Sequence, residues 1–132
     1  MVKLVISLGS NSHDRQSQMD FAIRHLKSIL KNVLVSSIYE TPAINGKDAP
    51  YFNAVAFAET DLTIEETTAL MKQWEQSCGR TSESKQHGII PIDLDIVVWD
   101  NKIIKERDFI MPYFTKGYKQ IVVSDKIEQT NS

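Results

Sequence analysis

The stretch Ile92-Asp93-Leu94-Asp95-Ile96-Val97-Val98-Trp99 decides how the rest of the chain is read. It is an apolar run broken at alternate positions by two acids, and it reads as a strand. The two-residue period of a strand sends Asp93 and Asp95 to one face and Ile92, Leu94 and Ile96 to the other. The aliphatic face can be buried at little electrostatic cost. The two carboxylates repel each other unless a cation, a proton or a basic group lies between them.

Upstream of this strand, Arg80 to Pro91 has neither a helical nor an alternating period and is expected to be a long loop. Before it, Thr63 and Glu66 have the spacing of a capping box. They open a helix that carries Leu70, Met71, Trp74 and Cys78 on one face and ends at Gly79. Tyr51 to Glu59 has a strand pattern. Pro42 to Pro50 reads as a loop, because an Asn45-Gly46 turn signal lies between two prolines. Val33 to Thr41 alternates as a second strand, stopped by Pro42. From Gln16 to Asn32, the residues Met19, Ala22, Ile23, Leu26, Ile29 and Leu30 recur at helical spacing. Val2 to Leu8 is a first, buried strand that meets the loop-forming Gly9-Ser10-Asn11.

Downstream, Asp100-Asn101 turns the chain toward a short edge strand at Ile103-Ile104. The segment Phe109 to Tyr113 ends beside Pro112. The order strand, helix, strand, strand, helix, strand predicts a ferredoxin-like α+β sandwich, an antiparallel sheet with its helices packed on one face. One domain is expected over residues 1–125, with a polar, frayed tail over 126–132. That fold serves many functions, so function must be argued from particular residues.

Composition narrows the classes. A formal net charge of −2 leaves no broad basic surface for a nucleic-acid backbone. The single cysteine, Cys78, excludes an intrachain disulfide and a thiol-rich metal centre, and a reducing cytoplasm fits such a chain. The apolar start is too short to span a bilayer and carries no signal-peptide pattern. Small-molecule partners are expected, without nucleic acid or membrane, acting on a monomer. Asp93 and Asp95 on one strand face are, taken alone, either the exposed polar face of an edge strand or a site for magnesium, which takes one or two protein carboxylates and completes its shell with phosphate oxygens and water.

Several short motifs stand together in order. Gly9-Ser10-Asn11, Thr41-Pro42, Tyr51-Phe52-Asn53, Glu75, Gly79-Arg80 and Ile92-Asp93-Leu94-Asp95-Ile96 each fall on the appropriate strand, helix or loop. From Val2 to Pro112 the chain resembles the hydroxymethyldihydropterin pyrophosphokinase family. The resemblance implies transfer of the β,γ-pyrophosphoryl group of ATP, as co-substrate, to the hydroxymethyl oxygen of 6-hydroxymethyl-7,8-dihydropterin, with AMP leaving. It implies Mg2+ held by Asp93 and Asp95, with Arg80 and Lys85 as catalytic cations. The pterin would meet Thr41, Pro42, Tyr51 and Asn53, and His87 would replace the family's tryptophan. Glu75, Arg80, Lys85, Lys116 and Lys119 would face the nucleotide.

The departures from the family pattern fall on the phosphate side. Where the family has Trp-Gly-Pro-Arg, this chain has His87-Gly88-Ile89-Ile90, and an isoleucine cannot clamp phosphate through paired hydrogen bonds. Ser82 stands for a second basic residue and Tyr113 for a histidine. Lys116 or Lys119 stands for a further arginine, and the family's C-terminal stretch is expected to be shortened. Five basic residues between Lys102 and Lys119 are either a solvated face or phosphate ligands. Two other readings remain open here: a weak or inactive pterin- or nucleotide-binding relative, and an RNA-binding module of the same topology. The third strand, with no basic residue, lacks the basic-aromatic set of the latter.

Overall fold

The sheet is assembled on β1 (Val2–Ser10), whose two edges pair antiparallel with β4 (Tyr51–Thr60) and β5 (Asp93–Trp99). β2 (Lys31–Val35) and β3 (Tyr39–Thr41) follow one another along the outer edge of β4, and β6 (Lys102–Ile103) closes the outer edge of β5. The resulting order, β2-β4-β1-β5-β6 with β3 on β4, is the antiparallel α+β arrangement expected from the element order. These relations come from a computed structural model that describes the backbone of residues 1–131 and the side chains of residues 1–122.

Two helices cover the first face of the sheet. α1 (Arg15–Ile29) presents Met19, Ala22 and Leu26, and α2 (Ile64–Ser77) presents Met71, to Leu4, Ile6, Leu8, Ala54, Ala56, Leu94 and Ile96. These are the residues that period-two reading places on one side of each strand. The Thr63–Glu66 capping box forms with both reciprocal bonds present, and Gly79 turns the chain at φ 93°, as its position after the helix predicts.

The second face carries an unanticipated layer. The sequence reading assigns no helix after the edge strand, whereas α4 (Glu106–Phe109) and then α5 (Pro112–Asn131) follow it. Pro112 takes the first helical position, where its missing N–H costs nothing. Phe114 and Ile121 bury against Val5, Val55 and Val97, and Phe109, Phe114 and Tyr118 pack ring to ring. A register shift between Val5 and Ile6 gives β5 an extra residue, so that neighbouring Val97 and Val98 both join this second core. Gly117 allows the close approach, because a Cβ there would lie 2.8 Å from Ser36 Oγ, Tyr39 Oη and Val55 Cγ2.

Other boundaries differ from expectation. The strand read over Val33–Thr41 is two strands, because at Ser36 the side chain enters the ladder. Ser36 N–H donates to Val55 O, and Ser36 Oγ accepts from Val55 N–H, both at 2.9 Å. The first helix ends three residues early, and Asn32 at φ 53° turns the chain within β2. The loop after Arg80 contains α3 (Ser82–Gln86), started by Thr81, whose side chain caps Ser84. Five residues are too few to show a period. The tail expected over 126–132 falls where side chains, and Ser132 entirely, lie outside the described residues.

Candidate functional site

α5 covers only part of the second sheet face, and the uncovered end forms a cavity of about 440 Å³. Its floor comes from β1, β4 and β5, and its walls from the loop after β3 and the segment leading into α5. The sheet register sets the floor. Gly9 pairs with Asn53 on one side and Asp93 on the other, and Ser7 pairs with Val55 and Asp95. Strands lie about 4.8 Å apart, so Asn53 and Asp93 stand about 10 Å from each other across Gly9. A side chain at the centre of that row would press on its neighbours. A Cβ on Gly9 would come within 3.1 Å of Asn53 Nδ2 and 3.5 Å of Tyr51 Cδ2.

At the β4 end, Thr41 Oγ1 donates to Asn53 Oδ1 at 2.5 Å, which fixes the amide orientation. Among the described residues Asn53 Nδ2 has no protein acceptor, and Asn53 is a buried residue of the cavity lining. Tyr51 is half-buried beside it. Burial first, and then the negative charges of Asp93 and Asp48, raise its phenol above the ordinary value, so it remains a hydroxyl donor. Pro42 also lines this end.

At the β5 end each carboxylate has its own cation. Arg80 Nη1 lies 2.7 Å from Asp93 Oδ1 and 2.9 Å from Glu75 Oε2. Lys105 Nζ lies 2.7 Å from Asp95 Oδ1. Burial and the charge of Asp95 push the Asp93 carboxyl up to about 6 against the pull of Arg80. Burial acts upward on Asp95 too, but the hydrogen bond and charge of Lys105 outweigh it and hold that carboxyl below its ordinary value. The two acids therefore differ: Asp95 stays ionised, and Asp93 carries unfavourable charge that a cation in the cavity would relieve.

Glu75 stands behind this pair rather than in the cavity. It is 3% exposed and accepts the backbone N–H of Leu94 at 2.8 Å while also holding Arg80 and Lys72. Lys85 and His87 are exposed on and just after α3, and neither lines the cavity. Lys116 and Lys119 ride on α5, which lies over the other part of the sheet face. Lys116 sits 5.5 Å from the Tyr39 ring centroid. The sequence-derived set thus separates. Thr41, Pro42, Tyr51, Asn53, Asp93 and Asp95 meet at one cavity, and Arg80 and Glu75 back it.

Several contributors were given no site role from the sequence. Ser7 and Asp108 line the cavity, and Asp108 accepts a short hydrogen bond from the Tyr113 hydroxyl. Lys105 holds Asp95. Asn11, read as part of a turn, is 4% exposed and joins two loops: its Nδ2 donates to Gly88 O at 2.7 Å and Ala49 O at 3.4 Å, and its Oδ1 accepts from Ile90 N–H at 2.6 Å. No local pattern marks such long-range bonds. The neighbouring Ser10 and Ser12 would have been equally plausible partners.

Among the described residues no three His, Cys, Asp or Glu side chains form a metal cluster, and no helix is long and apolar enough to cross a membrane. Two carboxylates that share one cavity are the oxygen ligands a hard cation takes when phosphate and water complete its shell.

Comparison with known proteins agrees with this geometry. The pattern of the 7,8-dihydro-6-hydroxymethylpterin-pyrophosphokinase (HPPK) family matches residues 5–122. The 2-amino-4-hydroxy-6-hydroxymethyldihydropteridine pyrophosphokinase of Haemophilus influenzae is 29% identical over 126 residues, which are 93% of this chain and 78% of that protein. Its namesake from Aquifex aeolicus is 31% identical over 114 residues, 86% of this chain and 71% of that protein. The folate synthesis bifunctional protein of Arabidopsis thaliana is 33% identical over 114 residues, 84% of this chain but 23% of the longer plant protein.

Proposed function

The chain belongs to the 7,8-dihydro-6-hydroxymethylpterin-pyrophosphokinase family, and we propose that its cavity binds 6-hydroxymethyl-7,8-dihydropterin and ATP and transfers a pyrophosphoryl group from ATP to the pterin, a step toward folate. In that reaction the hydroxymethyl oxygen loses its proton to solvent and bonds to the β-phosphorus, the bond from that phosphorus to the α,β-bridging oxygen breaks, and AMP leaves. The observation that carries this reading is the row Asn53, Gly9, Asp93. It sets a fixed amide donor for a flat heterocycle about two strand spacings from an acidic pair.

Asn53 Nδ2 would bond the heterocycle edge, with Thr41 keeping the amide in that orientation. Tyr51 would supply aromatic surface, and the Thr41-Pro42 turn would close the pocket around the ring. Asp93 and Asp95 would hold Mg2+, which when bound neutralises the phosphates and orients them toward the alcohol. Arg80 would keep Asp93 in place from behind, itself fixed by Glu75. The chain's own contribution is therefore position and charge, the terms on which phosphoryl-type transfer depends.

AMP release from ATP, measured with purified protein and magnesium, should require the pterin alcohol. Folded, magnesium-supplied protein that binds the pterin and yields no AMP would overturn the assignment.

A further inference from the structure

The cavity as built is strongly acidic. Asp48, Asp93, Asp95 and Asp108 line it, and no lysine or arginine among the described residues does. A polyphosphate needs cations there besides any metal. The cations bonded to the cavity's acidic pair are Arg80 and Lys105, and they are held differently. Arg80 has two carboxylate partners, one of them the buried Glu75, so it keeps a partner if Asp93 is taken by a metal. Lys105 has Asp95 as its one ion-pair partner among the described residues, is 44% exposed at its side chain, and reaches the carboxylate on a flexible four-carbon stem. Its backbone is anchored nearby: Val97 O accepts from Ile104 N–H at 2.9 Å and from Lys105 N–H at 3.4 Å, two residues along β5 from Asp95.

We propose that Lys105 is a phosphate-binding side chain of this site, whose ammonium moves from Asp95 to a phosphate oxygen when metal and nucleotide bind. The inference rests on the nucleotide reading above. A metal at Asp95 shares the carboxylate with Lys105, and two like charges then compete for one anion. The phosphates that accompany the metal offer the displaced ammonium a new partner within reach of the same stem. Lys105 in this way serves the phosphate side of a site where Ile90 and Tyr113 offer no positive charge, and where Lys85, Lys116 and Lys119 do not line the cavity. In the free protein the same ammonium neutralises Asp95, so one cation serves two states.

The test is calorimetric binding of a non-hydrolysable ATP analogue with saturating magnesium, alongside Mn2+ binding without nucleotide followed by electron paramagnetic resonance. Lys105→Met should weaken analogue binding about 10- to 100-fold, the range of a hydrogen bond between charged groups. Mn2+ alone should bind the variant as tightly as wild type or more tightly, since a competing cation is gone. Lys105→Arg should recover most of the analogue affinity. Unchanged analogue affinity in Lys105→Met would overturn the proposal. So would an equal loss of Mn2+ binding without nucleotide, because Lys105 would then only hold Asp95 in position. If the wild-type protein binds pterin but no nucleotide, the nucleotide reading itself falls and this inference falls with it.

Discussion

Glu75 accepts the backbone N–H of Leu94, the residue between the two site aspartates, at 2.8 Å. A helix residue thus holds the strand that carries the acidic pair, and the same carboxylate steadies Arg80 against Asp93. Glu75→Ala leaves a buried N–H without an acceptor and removes one of the two partners of Arg80. It should cost about 2–4 kcal/mol in urea-induced unfolding. Glu75→Gln retains an acceptor oxygen for Leu94 and should cost about half as much. Both should lower kcat, because Arg80 is no longer fixed.

Asp93 is the site of a conflict between stability and activity. Its folded-state carboxyl is raised from 3.8 to about 6 by burial and by Asp95, so the folded chain holds that proton more tightly than the unfolded chain. The associated stability is fully present below pH 3.8 and is lost as pH rises through about 6. The full shift corresponds to about 3 kcal/mol, but the side chain is 38% exposed, and screening should reduce the loss to about 1–2 kcal/mol. Metal-free Asp93→Asn should lack this loss between pH 4 and 6 and unfold at higher urea than wild type near pH 7.5. Its pyrophosphoryl transfer should fall by more than about 100-fold if, as proposed, the Asp93 carboxylate holds the metal.

Most of the sheet was legible because its strands obey a period of two and its first two helices a period near 3.6. The Asp93-Leu94-Asp95 alternation placed both acids on one face correctly. What escaped has physical reasons. α5 carries Gly117 and alternates aromatic with charged residues, so its stripe of Phe114, Tyr118 and Ile121 reads weakly, although Pro112 was a usable start signal. The break between β2 and β3 depends on a serine hydroxyl acting as a ladder acceptor, which propensity does not register. Lys105 looks like any surface lysine until the β5–β6 turn brings it back over Asp95. Residues whose roles depend on partners distant in the chain leave no local trace.

Gly117 determines how closely α5 approaches the sheet, and hence where Tyr113 and Asp108 stand at the cavity wall. Its N–H donates to Tyr39 Oη at 3.0 Å, while the Tyr39 hydroxyl donates to Tyr113 O at 2.6 Å. Burial keeps that phenol protonated by raising it to about 12. Gly117→Ala gains about 1 kcal/mol in helix propensity but places a methyl 2.8 Å from three atoms. Overpacking of this kind costs about 1–3 kcal/mol, and it should outweigh the gain because all three neighbours belong to one tight contact. A lower Tm, by about 3–6 °C in a calorimetric scan, is the expected result. A Tm above wild type would mean that the helix shifts outward at no cost.

Asn11 is the only side chain among the described residues seen to bond both to the loop before β4 and to the segment preceding β5. Ile90 N–H and Gly88 O depend on its amide, and the backbone Asn11 N–H adds a bond to Ile90 O at 3.1 Å. Asn11→Ala removes the amide bonds but keeps the backbone bond, so the chain should fold while residues 80–91 loosen. Trypsin should then cut at Lys85 about tenfold faster, corresponding to a local opening about 1.4 kcal/mol easier. Substrate KM should rise more than kcat falls, since the same amide also holds Ala49, next to the loop that lines the cavity, and loosening that loop weakens binding before it displaces Asp93 or Asp95. Asn45→Ala, which cuts only a turn within the first loop, should leave cleavage at Lys85 unchanged. Equal cleavage rates in Asn11→Ala and wild type would show that the backbone bond alone suffices to hold the segment preceding β5.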